Sequence, residues 1–133
     1  MNKKPFPIQK SESEWRENLN DDQFHVLREK GTERPFTGKY NLHSEKGIYT
    51  CGACNFQLFK SDSKFDSGCG WPSFDKAQEG TVEYIRDKSS GMIRVEIICS
   101  NCGSHLGHVF NDGPTETGQR YCVNSLSIDF QKK

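Results

Sequence analysis

The six cysteines of this chain divide into four and two, and no other feature limits its fold as much. Cys51 and Cys54 form one C-x-x-C pair, and Cys99 and Cys102 form another. Four thiolates in paired spacing make a tetrahedral zinc site with Zn–S distances of about 2.3 Å. Forty-four residues separate the pairs, far more than in a compact finger, so the fold must bring two knuckle turns together from distant strands. Gly103 follows the second pair and supplies the positive φ that knuckle turns often need. Asn55 stands in the matching place, and asparagine is the non-glycine residue that best tolerates that region. Two disulfides, or four free buried cysteines, are the alternatives, and neither accounts for the spacing as well. A closed shell of four thiolates has no open position for chemistry, which leaves Cys69 and Cys122 as the candidates for redox work.

At 133 residues the chain is read as one domain over 1–133: a flexible arm (1–10), a helical segment (11–31) and a β core (36–130). Only 32% of the residues are hydrophobic and the mean hydropathy is −0.83, which points to a modest core. A structural metal compensates for that, since apparent zinc-binding free energies in small domains are about 10–16 kcal/mol and couple to folding. Eighteen basic and eighteen acidic residues cancel, which argues against a nucleic-acid partner. No run approaches transmembrane length, and no apolar stretch follows the lysines of the first ten residues as a secretory signal requires. The expectation is a monomeric cytoplasmic protein, in a reducing compartment where C-x-x-C pairs hold metal.

Ser11 with Glu14, and Asn20 with Gln23, read as capping boxes opening two short helices, the second ending at Gly31 as a natural C′ residue. From Tyr40 onward the pattern is β. Strand candidates are Ile48–Thr50, Thr81–Arg86, Met92–Ile98 and Tyr121–Phe130, with a hairpin turn at Ser89–Gly91. In the third of these, Ile93, Val95 and Ile97 share one face, and Arg94 and Glu96 the other.

Taken as one strand, Arg120–Phe130 places Arg120, Cys122, Asn124, Leu126, Ile128 and Phe130 on one face, polar at one end and apolar at the other. Arg120 beside Cys122 would favour the thiolate, the reactive form of a thiol with an ordinary pKa near 8.5. Cys122 fits equally well as a small buried hydrophobe. Cys69 lies between Gly68 and Gly70, in a mobile or tightly turned loop suited to a resolving cysteine that attacks a sulfenic acid. Trp71 beside it is either a flat apolar wall for a small substrate or a core residue. His105 and His108 follow the second knuckle; with the metal shell already complete, they are candidate general acids or structural histidines.

Arg34–Gly38, both C-x-x-C pairs, Gly68–Phe74, Gly103–Gly113 and Arg120–Ser125 occur in an order that resembles the B-type methionine sulfoxide reductases, from about Phe24 to Phe130. The resemblance implies a mainly β fold of two small antiparallel sheets, with the short N-terminal helices packed outside and a structural four-cysteine zinc site. It implies that Cys122 attacks the sulfoxide sulfur of the R epimer and that Cys69 resolves the resulting sulfenic acid. Trp71 would pack against the substrate methyl, His105, His108 and Asn124 would bind or help protonate its oxygen, and Arg120 would support the thiolate. The implied partners are oxidised proteins and small methionine sulfoxide substrates, with thioredoxin reopening the disulfide. A non-enzymatic zinc-ribbon module explains the quartet but leaves Cys69 and Cys122 idle. A thiol peroxidase or general disulfide oxidoreductase shares the two-cysteine cycle but needs neither the Trp71 wall nor the histidine pair.

Overall fold

The computed structural model describes residues 6–88, 91 and 93–132. Both capping boxes form. Ser11 Oγ accepts from the Glu14 amide and opens α1 (Glu12–Asn18); Asn20 Oδ1 accepts from the Gln23 amide at 2.8 Å and opens α2 (Asp21–Glu29). The left-handed residue closing α2 is Lys30 (φ 59°), not Gly31. Gly31 is needed for space instead: a Cβ there would overlap the His25 ring.

Among the described residues nine strands follow: β1 (Gly47–Cys51), β2 (Gln57–Lys60), β3 (Lys64–Phe65), β4 (Ser73–Phe74), β5 (Val82–Asp87), β6 (Arg94–Cys99), β7 (His105–Phe110), β8 (Arg120–Val123) and β9 (Ile128–Lys132). They form two antiparallel sheets, a three-stranded one in the order β2-β1-β9 and a six-stranded one in the order β3-β4-β8-β7-β6-β5. The fold is therefore mainly β with two short helices, as expected. Between the sheets lie Tyr49, Leu58, Phe59, Phe74, Leu106, Val123 and Ile128, all almost fully buried. Phe59 stacks on Phe74 at 4.3 Å, and Tyr49 meets Phe74 edge-on at 5.1 Å. No helix among the described residues is long and apolar enough to cross a membrane.

The single strand expected over Arg120–Phe130 is broken. β8 stops at Val123, a tight turn covers Ser125–Ser127, and β9 continues in the other sheet. Side-chain hydrogen bonding breaks it: Asn124 Oδ1 accepts from the Glu33 amide at 3.0 Å, and Ser125 Oγ accepts from the Tyr40 amide at 3.2 Å. Such polar side chains compete with a ladder. The shared face expected for Arg120, Cys122 and Asn124 survives, because all three border one cavity.

β6 also departs from simple alternation. Ile93 and Val95 are exposed, whereas Ile97 on their face and Glu96 on the other are both buried, so the strand turns from an exposed start to an end buried on both faces. Met92, Ser89 and Ser90 lie outside the described residues, so most of the turn expected at Ser89–Gly91 does too; Gly91 has φ 71°. Part of the arm expected to be flexible is docked: the Ile8 amide donates to Asn101 O at 2.8 Å, and the Phe6 ring lies where a Cβ on Gly103 would project.

Candidate active site and metal centre

The two C-x-x-C turns are near copies. Asn55 N donates to Cys51 O and Gly103 N to Cys99 O, both at 2.8 Å. Ala53 N donates to Cys51 Sγ and Asn101 N to Cys99 Sγ, both at 3.4 Å. The left-handed residues are Asn55 (φ 67°) and Gly103 (φ 77°), the positions the sequence nominates. The turns face each other so that all four sulfurs lie within 4.8 Å of one another, with Cys51–Cys102 at 3.7 Å and Cys54–Cys99 at 3.6 Å. Four sulfurs at about 2.3 Å from a central ion in tetrahedral geometry stand about 3.8 Å apart, so the quartet fits such an ion. Without a cation the sulfurs compete for protons: bonding to Cys102 pushes the Cys51 thiol far up and holds Cys54 far down. A bound divalent ion resolves that competition by replacing the protons. Outer contacts reinforce the cage. Arg28, stacked over Trp15 at 4.6 Å, donates to Cys102 O at 2.9 Å and to Ser104 Oγ at 3.0 Å. Asn101 Nδ2 donates to Cys54 Sγ at 3.3 Å.

The other two cysteines meet elsewhere. Antiparallel register aligns Glu96, His108, Cys122 and Ser73 in one row across β6, β7, β8 and β4. Cys122 thus has His108 on one side and Ser73 on the other. Gly107 on β7 lets the strands close up, since a Cβ there would overlap the Cys122 carbonyl. Cys69 reaches the row from its loop, where Gly68 (φ 74°) and Gly70 (φ 97°) are both left-handed. Its Sγ lies 3.9 Å from Cys122 Sγ, so a small side-chain rotation closes a disulfide of about 2.05 Å.

A cavity of about 220 Å³ opens over the pair, lined by Trp71, His108, Phe110, Arg120 and Asn124 among others. Trp71 is part of its wall, and its Nε1 donates to Glu33 O at 3.0 Å. The same Glu33 gives its amide to Asn124 Oδ1, and its carboxylate accepts from the Leu126 amide at 2.9 Å. Asn124 Nδ2 donates to Leu106 O at 3.1 Å, which leaves its second hydrogen for a ligand oxygen.

The two histidines are three residues apart, a spacing that puts side chains on opposite faces of a regular strand. A β-bulge opposite Ile97–Ile98 adds one residue and turns both inward, with ring centroids 5.6 Å apart. His108 borders the cavity; His105 is buried behind it and outside the cavity lining. Each is bonded to a carboxylate: His108 Nε2 to Asp87 Oδ2 at 2.8 Å, and His105 Nδ1 to Glu96 Oε2 at 2.7 Å.

The electrostatics of the thiol pair are uneven. Burial, reinforced by the nearby Cys69 sulfur, pushes the Cys122 thiol up to about 12; Arg120 pulls the other way and loses. Arg120 is already committed to Asp112, at 2.9 and 3.1 Å, and lies over the Phe110 ring at 4.5 Å. For Cys69 burial also opposes ionisation, but hydrogen bonds from Ser67 (2.9 Å) and Ser73 (3.5 Å) outweigh it and hold the thiol below its ordinary value. His108 is held below the usual imidazole value by burial, assisted by Arg94 and His105 and opposed by Asp87.

The SelR domain model matches residues 19–132. The chain belongs to the SelR, or MsrB, family. It is 58% identical over 127 residues to a protein named peptide methionine sulfoxide reductase MsrB from Methanosarcina mazei, covering 95% of this chain and 91% of that one. Proteins of the same name from Agrobacterium fabrum and Variovorax paradoxus are 57% and 54% identical, covering 93% and 96% of this chain and 93% and 98% of theirs. In this MsrB-family chain every cysteine the sequence singled out sits in one of two clusters. The sequence reading missed Asp87, Glu96 and Glu33, which hold the site from positions with no motif of their own, and Phe110, which lines it from inside the Gly103–Gly113 block. One available signal was Glu96, a lone acid within the otherwise apolar run Val95–Ile98.

Proposed function

We propose that this MsrB-family chain reduces the R epimer of methionine sulfoxide, in oxidised proteins and in small molecules, through Cys122 and Cys69. The coarser conclusion, that it is a methionine sulfoxide reductase, follows from its family. The finer one rests on the 3.9 Å approach of Cys69 Sγ to Cys122 Sγ beneath the Trp71 wall. The substrate methyl packs on the Trp71 indole, and the oxygen points to His108 and the remaining Asn124 N–H. Cys122 attacks the sulfur from beneath. The other epimer would turn its oxygen to the indole and leave it unpaired, at a cost of about 1–3 kcal/mol.

Because Cys122 rests as a thiol, the nucleophile brings its own proton. Cys122–SH and the sulfoxide become Cys122–SOH and methionine: oxygen passes between the sulfurs, the substrate sulfur gains two electrons and Cys122 loses two. Cys69–SH then displaces hydroxide from Cys122–SOH, giving the disulfide and water. An external dithiol such as thioredoxin, at roughly −270 mV, restores both thiols. Asn124 donates to the oxygen and steadies its charge as it accepts the proton, after which the new O–H donates to the remaining ring nitrogen of His108, with His105 acting from behind His108. Arg120 lowers the cost of charge on Cys122. The Cys51, Cys54, Cys99 and Cys102 cage would hold one zinc ion, whose contribution is structural because its shell is full. This chemistry suits a monomer in a reducing compartment such as the cytoplasm.

Turnover of the separate R and S epimers of a blocked methionine sulfoxide, with dithiothreitol as reductant, tests the reading. Reduction of R alone supports it. Turnover of S alone, or of neither by zinc-loaded protein, overturns it.

A further inference from the structure

We propose that Lys30 is a positioning residue for the histidine end of the pocket, its ammonium pinning the two carboxylates to which His105 and His108 are bonded. The proposal rests on the reductase reading for its consequence, though not for its geometry. Lys30 Nζ lies 3.3 Å from Asp87 Oδ1 and 3.3 Å from Glu96 Oε1. The second oxygen of each carboxylate takes an imidazole, at 2.8 Å for His108 and 2.7 Å for His105. One cation thus closes a chain running His108–Asp87–Lys30–Glu96–His105 through β7, β5, α2 and β6. Both carboxylate side chains are nearly sealed from water, 2% and 8% exposed, and buried carboxylates require compensating charge. Asp87 has a second cation in Arg94, whose Nη2 is 3.7 Å away; Lys30 is the ammonium that Glu96 engages.

The backbone points the same way. Lys30 has φ 59° and ψ 37° at the C-cap of α2, a left-handed position that favours glycine or asparagine. Glycine stands one residue further on, where space demands it. A long charged side chain placed against the local backbone preference is a departure of the kind that concentrates at functional sites. Arg28, the other base near this end of α2, is directed to the second knuckle.

Among the described residues the charged and titratable groups around His108 are Asp87 from β5, Arg94 and Glu96 from β6, His105 on its own strand, Arg120 and Cys122 from β8, Cys69 from its loop, and Lys30 from the end of α2. Against its burial, His105 and Lys30 hold the Glu96 carboxyl below its usual value; both carboxylates keep their hydrogen bonds to the rings, and His108, itself held low by burial, donates Nε2–H to Asp87. Removing the cation makes the field at His108 more negative, so the ring binds a proton more readily and its hydrogen-bonding face to the pocket changes.

The test compares Lys30→Met, Lys30→Arg and Lys30→Gly in the full zinc-loaded chain. The His108 ring titration is followed by NMR without substrate, and kcat and KM for the R epimer are measured against pH. Lys30→Met and Lys30→Gly should raise the His108 midpoint by about half a unit or more. Both should lower kcat roughly tenfold with KM little changed, whereas Lys30→Arg stays within about twofold of the parent. Lys30→Gly suits the left-handed backbone and so adds no backbone strain to the lost charge; native circular dichroism and one zinc per chain at the assay temperature show that a loss of kcat there is not a loss of folding. Unmoved midpoints overturn the proposal, as do moved midpoints with unchanged kcat, or a Lys30→Arg variant as impaired as Lys30→Met. If the parent protein reduces neither epimer the reductase reading fails, and the NMR midpoints alone then decide whether Lys30 governs the histidine.

Discussion

The knuckle cysteines and the Cys69–Cys122 pair share one short chain but are held by opposite means. At the knuckles the backbone repeats itself: matching amide-to-carbonyl bonds of 2.8 Å, matching amide-to-sulfur bonds of 3.4 Å, and a left-handed residue at the same step of each turn. Around the pair nothing repeats. Cys122 is fixed in the middle of a sheet, whereas Cys69 rides on a loop between two left-handed glycines and is hydrogen-bonded by serines. A symmetric cage suits four sulfurs that must stay in one state. An uneven pair suits the alternation between thiol, sulfenic acid and disulfide proposed for these two sulfurs.

The sharpest way to break that comparison is to remove one sulfur from each group. Cys51→Ala should lose the metal and the cooperative thermal transition, because the site's apparent free energy, about 10–16 kcal/mol, is comparable to the whole stability of a domain. Cys122→Ser should keep one zinc per chain and its melting transition while turnover falls at least about 1,000-fold. Metal analysis, thermal melts and R-epimer turnover on both variants check this, and loss of metal from Cys122→Ser would mean the two groups are not independent. Next in size is Cys69→Ser. A single-turnover assay should give one methionine per chain, with thioredoxin-driven steady-state turnover reduced by about 100-fold or more.

Alkylation reads the unevenness of the pair directly. At pH 7 iodoacetamide should label Cys69 roughly tenfold faster or more than Cys122, since Cys69 is held below its ordinary value and Cys122 near 12. Labelling of Cys122 should rise about tenfold per pH unit as its thiolate fraction grows. Peptide mapping that found Cys122 labelled first would reverse the assigned asymmetry. The smallest effect concerns the knuckles themselves. Asn55→Gly makes the first turn match the second and should stabilise the chain by up to about 1 kcal/mol, read from a denaturation midpoint. No change would mean that the Asn55–Gln131 contact at 3.3 Å offsets the backbone gain.

The knuckles were legible because every determinant is local: a covalent spacing, and a residue tolerant of positive φ directly after it. Both helix starts were legible for the same reason. The break after Val123 was not, because Arg120–Phe130 alternates like one strand and the groups that interrupt it, the amides of Glu33 and Tyr40, come from far upstream. Nor could the pairing of His108 with Asp87 and of His105 with Glu96 be read. It depends on strand register, and for the two rings facing the same way it depends on a bulge that leaves no mark in composition. The burial of Glu96 follows from the same partners, since His105 and Lys30 receive it, while Ile93 and Val95 at the start of the run are left outside.

Glu33 touches both walls of the cavity through a single residue's backbone, its carbonyl taking the Trp71 indole N–H and its amide meeting the Asn124 carboxamide. The separation of a residue's own N and O varies only within the narrow range its covalent geometry and torsions allow. The gap between indole and carboxamide therefore behaves as a gauge block: the walls can slide together over Cys122, but neither can widen away from the other alone. A pocket spanned in this way takes its width from two hydrogen bonds to one residue's backbone, so a change at Glu33 reaches both walls at once.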